Sequence, residues 1–416
     1  QQRLIVGDFN HLIKHFVIVP TVIDQRHWSL IGEFIWLYEI LASQFNGVHL
    51  QIVGGDVHQA LFAFDVGHQG DGLRQFVAEE ELLAVTPVGE LLDLQRWYFG
   101  EFVRQRPTDH ERHYLESVFD GLAEFPALTG LFGRAHNPLF AIPPTFEAAR
   151  DLLAFWQQTD PDTGALRHDF SDPELDTRFL GDLYQDLSEA ARKRYALLQT
   201  PEFVEEFILD RTLEPAIRTF GLDGIRLIDP TCGSGHFLLG AFQRLLDHWQ
   251  RSAPGMDARE RVIRALAGVY GVDLNPFAVA IARFRLLVAA LQASGIRTLR
   301  EAPGWAFNLT TGDSLLHGRR FDLLGADDLA QRYPHAYAAE DIDAINRILG
   351  QRYHAVVGNP PYITACDSAL NALYRERYET CHRKFSLGVP FTERFFQRAE
   401  TYGDAPAGFV GLITAD

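Results

Sequence analysis

Cysteine is scarce, positive charge is outnumbered and long apolar runs are missing, and each shortage removes a class of protein. The three cysteines, Cys232, Cys366 and Cys381, have no C-x-x-C pairing, which speaks against a disulfide framework and against a zinc site. A formal net charge of -17 at pH 7 argues against general attraction of the whole surface to nucleic acid, so any DNA contact is expected to be local. No uninterrupted apolar run reads as long enough to span a bilayer, and a hydrophobic content of 47% is that of a globular chain. A cytoplasmic protein with no bound metal and no membrane contact is the expectation.

What is present is length: 416 residues leave room for two or three domains. Residues 1–106 show no sustained helical periodicity and receive no role; they read as a β-rich accessory region or as a stretch foreign to the natural reading frame. Residues 107–199 read as a helical lead-in, with "DLLAFWQQ" and "LYQDLSEAARKRYALL" carrying apolar residues at i, i+3 and i+4, and "TDPDTG" and "SDPELD" as breaks. From about residue 222 strand-like and helix-like runs alternate: "GIRLID", "HFLLGAFQRLLDHW", "AGVYGVDL", "NPFAVAIARFRLLVAAL", "AFNLTTGD", "HAVVGN", "FVGLIT". That alternation predicts an α/β domain with a doubly wound parallel sheet over residues 200–416, expected to be incomplete at its C-terminal side.

Chemistry concentrates where these strands end. The first runs into Asp229-Pro230-Thr231-Cys232-Gly233-Ser234-Gly235-His236-Phe237, whose glycines allow a ligand to approach a helix N-terminus. No lysine follows, so a phosphate-cradling P-loop is a poor fit. The second ends in Asp273-Leu274-Asn275-Pro276, with Asn275 as N-cap, Pro276 in the first turn and Asp273 able to accept ribose hydroxyls or simply to close a turn. Asp273 lies beyond the spacing usual for a dinucleotide fold, because a helix around "ARERVIRALAG" intervenes, and this counts against NAD. The third leads to Asp313-Ser314 in "TGDSLL".

The fourth strand runs into Asn359-Pro360-Pro361-Tyr362, where two prolines remove backbone donors and leave rigid carbonyl acceptors beside an amide and an aromatic ring. A strand followed by a rigid turn is the structural alternative. Just beyond, "YRERYETCHRK" holds Arg375, Arg377, His382, Arg383 and Lys384 with Tyr374 and Tyr378 between them, either a solvated helix face or a local phosphate contact.

Taken in order, "DPTCGSGHF", "GVDLNP", "TGDSLL" and "VVGNPPY", preceded by "QTPEFVEEFI", resemble the γ-type adenine-N6 DNA methyltransferases, and among them the methyltransferases of type 2 BREX phage-defence systems, over residues of about 107 to 416. The resemblance implies a Rossmann-like fold, S-adenosylmethionine as cofactor, double-stranded DNA with a flipped adenine as partner, and other phage-defence proteins as further partners. It implies Thr200 and Pro201 beside the cofactor's methionine part. Asp229, Pro230, Cys232, Gly233 and Gly235 would sit around its amino acid end, Asp273 and Leu274 at its ribose, and Asp313 and Ser314 at its adenine. Phe237 and Pro361 would pack against rings, Phe237 being equally well placed as a core aromatic. Asn359 and Pro360 would then accept the target amine and Tyr362 would stack on the target base through its ring face alone. Alternatives are methylation of a protein glutamine, whose amide nitrogen poses the same problem, and a catalytically incomplete cofactor-binding piece.

Overall fold

The computed structural model describes residues 100–164 and 200–414, except 101, 138, 141–142, 297–300, 319–339, 365–367 and 400–405, together with Arg167, Thr177 and Leu180. Residues 1–99, the "SDPELD" and "LYQDLSEAARKRYALL" stretches and Cys366 lie outside the described residues. Helices α1 (Glu111–Leu122), α2 (Thr129–Phe132) and α3 (Phe146–Trp156) come first. α3 begins where the Thr145 hydroxyl accepts the Ala148 N–H at 3.1 Å, satisfying one of the donors a helix start leaves open.

The long helix α4 (Glu202–Phe220) then leads into β1 (Leu227–Asp229). There follow α5 (His236–Ser252), α6 (Ala258–Ala267), β2 (Val269–Asp273), α7 (Pro276–Ser294) and β3 (Asn308–Thr311). The chain continues through α8 (Ile342–Gly350), β4 (Ala355–Gly358), α9 (Ser368–Arg377), α10 (Gly388–Arg398) and β5 (Phe409–Leu412). The strands form one parallel sheet in the order β3-β2-β1-β4-β5. The alternation of elements read from the sequence is realised, including the helix inserted before β2.

Both sheet faces are buried, which is why the strands read as continuous apolar runs. Leu227, Val269, Leu309, Ala355 and Val357 face a large core that also takes in Leu115, Phe119 and Phe132 of α1 and α2. Ile228, Val272 and Val356 face a second core with Ile345 and Ile348 of α8 and Phe391 and Phe395 of α10. The helical lead-in therefore shares its hydrophobic core with the sheet.

One helix bears on the expectation that no uninterrupted apolar run spans a bilayer. α7 is 19 residues long with a mean hydropathy of 1.5, long and apolar enough to cross a membrane by length and composition. It is instead the central helix of the large core, 78% buried, and it carries two buried arginines, Arg283 and Arg285.

A candidate active site at the strand tips

β1 is the point at which strand order reverses, with β2 on one side and β4 on the other, and in open parallel sheets ligands bind outside the carboxyl ends at such a point. The register aligns Asp273 with Thr311, so the tips of β2 and β3 are level, and Asp229 with Gly271, so β1 ends two residues short of them and leaves a recess at the reversal point. Between β1 and β4 the backbone is crowded. A Cβ on Gly358 would stand 2.7 Å from an Asp229 carboxylate oxygen and 2.7 Å from the Thr231 hydroxyl, so only glycine lets these side chains sit where they do.

The loop after β1 is shaped by its own residues. Asp229 is almost fully buried, and its Oδ1 accepts the Thr231 N–H at 2.9 Å and the Thr231 hydroxyl at 3.1 Å. Gly233 and Gly235 adopt φ of 51° and 86°, values that favour glycine, and at Gly235 a Cβ would come within 2.9 Å of Ala282. The loop is then pinned from two sides: the Gly233 N–H donates to Asp273 Oδ2 at 2.9 Å, and buried Arg285 of α7 donates to the Ser234 carbonyl at 2.7 Å.

Asp273 accepts the Asn275 N–H through Oδ1 at 2.8 Å, and Asn275 caps α7 by accepting the Phe277 N–H at 3.1 Å, the capping expected from the sequence. Asp273 thus ties the glycine loop to the α7 cap, which leaves only second lone pairs for a ribose.

Electrostatically the two aspartates are strained. Burial pushes the Asp229 carboxyl up to about 8, opposed by its bonds from Thr231 and aided by the negative charge of Asp273. Burial also raises Asp273, against the bonds from Asn275 and Gly233. Cys232 is buried, its backbone N–H donates to the Val272 carbonyl, and burial holds its thiol well above the ordinary range, so it is an unreactive spacer.

The remaining predicted residues divide. Ser314 is buried and its hydroxyl donates to the Pro230 carbonyl at 2.7 Å, joining the loops after β1 and β3. Asp313 closes a turn through Leu315 N–H at 2.8 Å and accepts the Tyr374 hydroxyl at 2.8 Å. Phe237 is buried in the large core, the core role that was its alternative. Leu274 and Pro361 are half-buried at the tips, Thr200 is buried and Pro201 exposed at the start of α4.

At the end of β4, Pro360 is buried and its carbonyl has no hydrogen-bond donor among the described residues, as the two prolines predict. Asn359 is half-buried; its Nδ2 donates to Thr200 Oγ1 at 3.4 Å and its Oδ1 accepts the Tyr362 hydroxyl at 2.6 Å. That last bond departs from the expectation that Tyr362 uses only its ring face.

The basic cluster divides between core and surface. Tyr374 and Tyr378 are buried, their hydroxyls donating to Asp313 and to the Leu315 carbonyl. Arg377 donates to the Leu316 carbonyl, and Arg375 donates to the Arg383 carbonyl while lying over the Phe385 ring. These residues hold α9 to the loop after β3, and Arg383 and Lys384 are exposed beside it. Sequence reasoning gave no role to Thr231, although it stands in the "DPTCGSGHF" stretch, and missed Arg285 and the Arg283–Glu340 pair, which stand in no motif.

Residues 267–415 match the family described as Eco57I restriction-modification methylase, a span that contains Asp273, Asp313 and Asn359 to Tyr362. The adenine-specific methyltransferase PglX of Streptomyces coelicolor is 51% identical over 341 residues, 78% of this chain and 28% of that protein. The chain is a relative of the adenine-specific methyltransferases. Type II methyltransferase M.PaeR7I of Pseudomonas aeruginosa is 28% identical over 218 residues, covering 51% of this chain and 30% of that one. The type II restriction enzyme and methyltransferase RM.Eco57I of Escherichia coli is 26% identical over 206 residues, 43% and 19% respectively. The chain thus spans less than a third of the length of each of these relatives. Its sheet is an open, parallel, Rossmann-like α/β sheet.

Proposed function

We propose that this chain carries the cofactor-binding and methyl-transfer core of a DNA adenine-N6 methyltransferase that marks self DNA in a phage-defence or restriction-modification system. The observation that carries the reading is the juxtaposition, across Gly358, of the Asn359 amide and Pro360 carbonyl at the tip of β4 with the buried carboxylate at the tip of β1. The names of the relatives favour adenine over a protein glutamine.

The donor set fits S-adenosylmethionine. Two carboxylates raised by burial, Asp229 also by the charge of Asp273, disfavour a further anion and favour a cationic ligand, which a sulfonium with an ammonium group is. Asp229 and the Gly233 to Gly235 loop would hold the amino acid end, Asp273 the ribose, Asp313 and Ser314 the side toward the adenine, and Thr200 and Pro201 the methionine part. When bound, the cofactor supplies a methyl group made electrophilic by its sulfonium.

The chain's own task is to make a poor nucleophile good. The lone pair of adenine N6 is delocalised into the ring, so a general base alone does little. Asn359 Oδ1 and the rigid Pro360 carbonyl each accept one N–H, favour the tetrahedral nitrogen and aim its lone pair. Tyr362 stacks on the flipped base, and exposed Arg383 and Lys384 are the local cations nearest in sequence that can meet a phosphate.

Asn359→Ala in the full-length protein tests this. Methylated-adenine sequencing of cells carrying the variant is expected to show modification abolished, with S-adenosylmethionine affinity nearly unchanged by calorimetry. Full modification by the variant would make Asn359 a turn residue and end the reading.

A further inference from the structure

A side-chain amide is useful to an amine only if its oxygen, not its nitrogen, faces the incoming N–H. Nothing in an amide's shape enforces that choice, because exchanging oxygen and nitrogen by rotation hardly alters its outline. At Asn359 two hydroxyls from distant parts of the chain flank the group. The Tyr362 hydroxyl lies 2.6 Å from Oδ1, a distance suited to O–H donating to a carbonyl oxygen and short for an N–H donor. The Thr200 hydroxyl lies 3.4 Å from Nδ2, long for an O–H bond but on the amide's donor side. Thr200 is buried, and burial raises the Tyr362 phenol above its ordinary value, so it remains a donor throughout the neutral range.

We infer that Thr200 and Tyr362 are a positioning pair that fixes the orientation of the Asn359 amide, so that Oδ1, held from one side by Tyr362, is the atom turned toward the target amine. Thr200 then acts through Asn359, and Tyr362 contributes its hydroxyl as well as its ring. The inference rests on the methyl-transfer reading above. It adds a link between the start of α4 and the tip of β4 that neither stretch shows alone.

The test uses full-length protein, unmodified genomic DNA and S-adenosylmethionine labelled in its methyl group. Thr200→Val keeps the side chain's shape and removes its hydroxyl; Tyr362→Phe keeps the ring. Each is expected to lower kcat about tenfold at saturating S-adenosylmethionine, since an amide in the wrong orientation is a mispositioned group, while KM for DNA and, for Tyr362→Phe, the Kd for S-adenosylmethionine change less than about twofold. Thr200→Ser should restore kcat. Because both act on one amide, the double variant should fall short of the product of the two single losses. Unchanged kcat in both single variants would overturn the pair, as would a Thr200→Val defect confined to cofactor affinity. Asn359→Ala, measured alongside, separates the failures. If it is inactive while both single variants are normal, only the positioning pair falls; if it is fully active, the methyl-transfer reading falls with it.

Discussion

Glu340, at the outer edge of β3, is met by a guanidinium, an imidazole and a backbone N–H, whereas Asp229, at the tip of β1, is met by Thr231 alone. Arg283 donates to both Glu340 oxygens at 2.7 and 2.8 Å, His136 bonds Oε1, and the Thr311 N–H reaches Oε2 at 3.2 Å. Burial pushes the Glu340 carboxyl up, but the bond from His136 and the Arg283 charge outweigh it and hold the group down at about 2. Burial wins at Asp229 and leaves it near 8. Two carboxylates in one sheet are thus handled in opposite ways. The compensated one is structural, and the uncompensated one has no positive partner among the described residues and is suited to a cationic ligand.

The largest expected effect would break the comparison at its structural end. Glu340→Gln leaves the Arg283 guanidinium, with 7% of its side chain exposed, without its counter-charge, and should cost about 3 to 5 kcal/mol in urea unfolding, the scale for removing one partner of a buried pair. A loss below about 1 kcal/mol would mean that the pair is as dispensable as a surface one.

Next comes Asp229→Asn. The amide oxygen can still accept both bonds from Thr231, so stability should hold or rise, while S-adenosylmethionine binding weakens by about 1 to 3 kcal/mol through loss of a charge-assisted contact. Calorimetry and a thermal melt on the same preparation check both halves; a marked fall in melting temperature with unaltered affinity would place Asp229 in the structural class.

Last comes the pH response, which reads the same contrast without a substitution at either carboxylate. Aspartate in an unfolded chain ionises near about 4. A folded-state value raised to about 8 therefore gives stability that is full below pH 4 and is lost as pH climbs to 8. Glu340 runs the other way, contributing above the unfolded value and losing its contribution as pH falls toward 2. Unfolding of the ligand-free protein from pH 4 to 9 should show a decline that Asp229→Asn flattens, and cofactor binding below pH 8 should release protons, seen as a buffer-dependent heat.

The parallel sheet and its strand tips were legible because both depend on local pattern. Buried strands such as "HAVVGN" are apolar on both faces, and the Asn275 cap with Pro276 behind it is a signal within three residues. Arg283 and Arg285 were not legible, because a side chain reaching a carbonyl or carboxylate far along the chain leaves no periodic trace, whereas Thr231 stood inside a motif and its bond to Asp229, two residues back, was overlooked. Tyr374 and Tyr378 show the converse: aromatics alternating with arginines read alike whether the rings face solvent or core, and only the Asp313 and Leu315 acceptors decide the matter.

Glu340 has a second consequence, for how this chain meets copies of itself. Among the described residues β3 is the last strand on its side of the sheet, and an edge strand offers unpaired N–H and C=O groups to any extended chain nearby. At Thr311 both are occupied, the N–H by the Glu340 carboxylate and the carbonyl by the Glu340 N–H at 3.1 Å. One residue folded back along the edge thus denies a foreign strand its footing there, and puts a charge where a sticky ladder would begin.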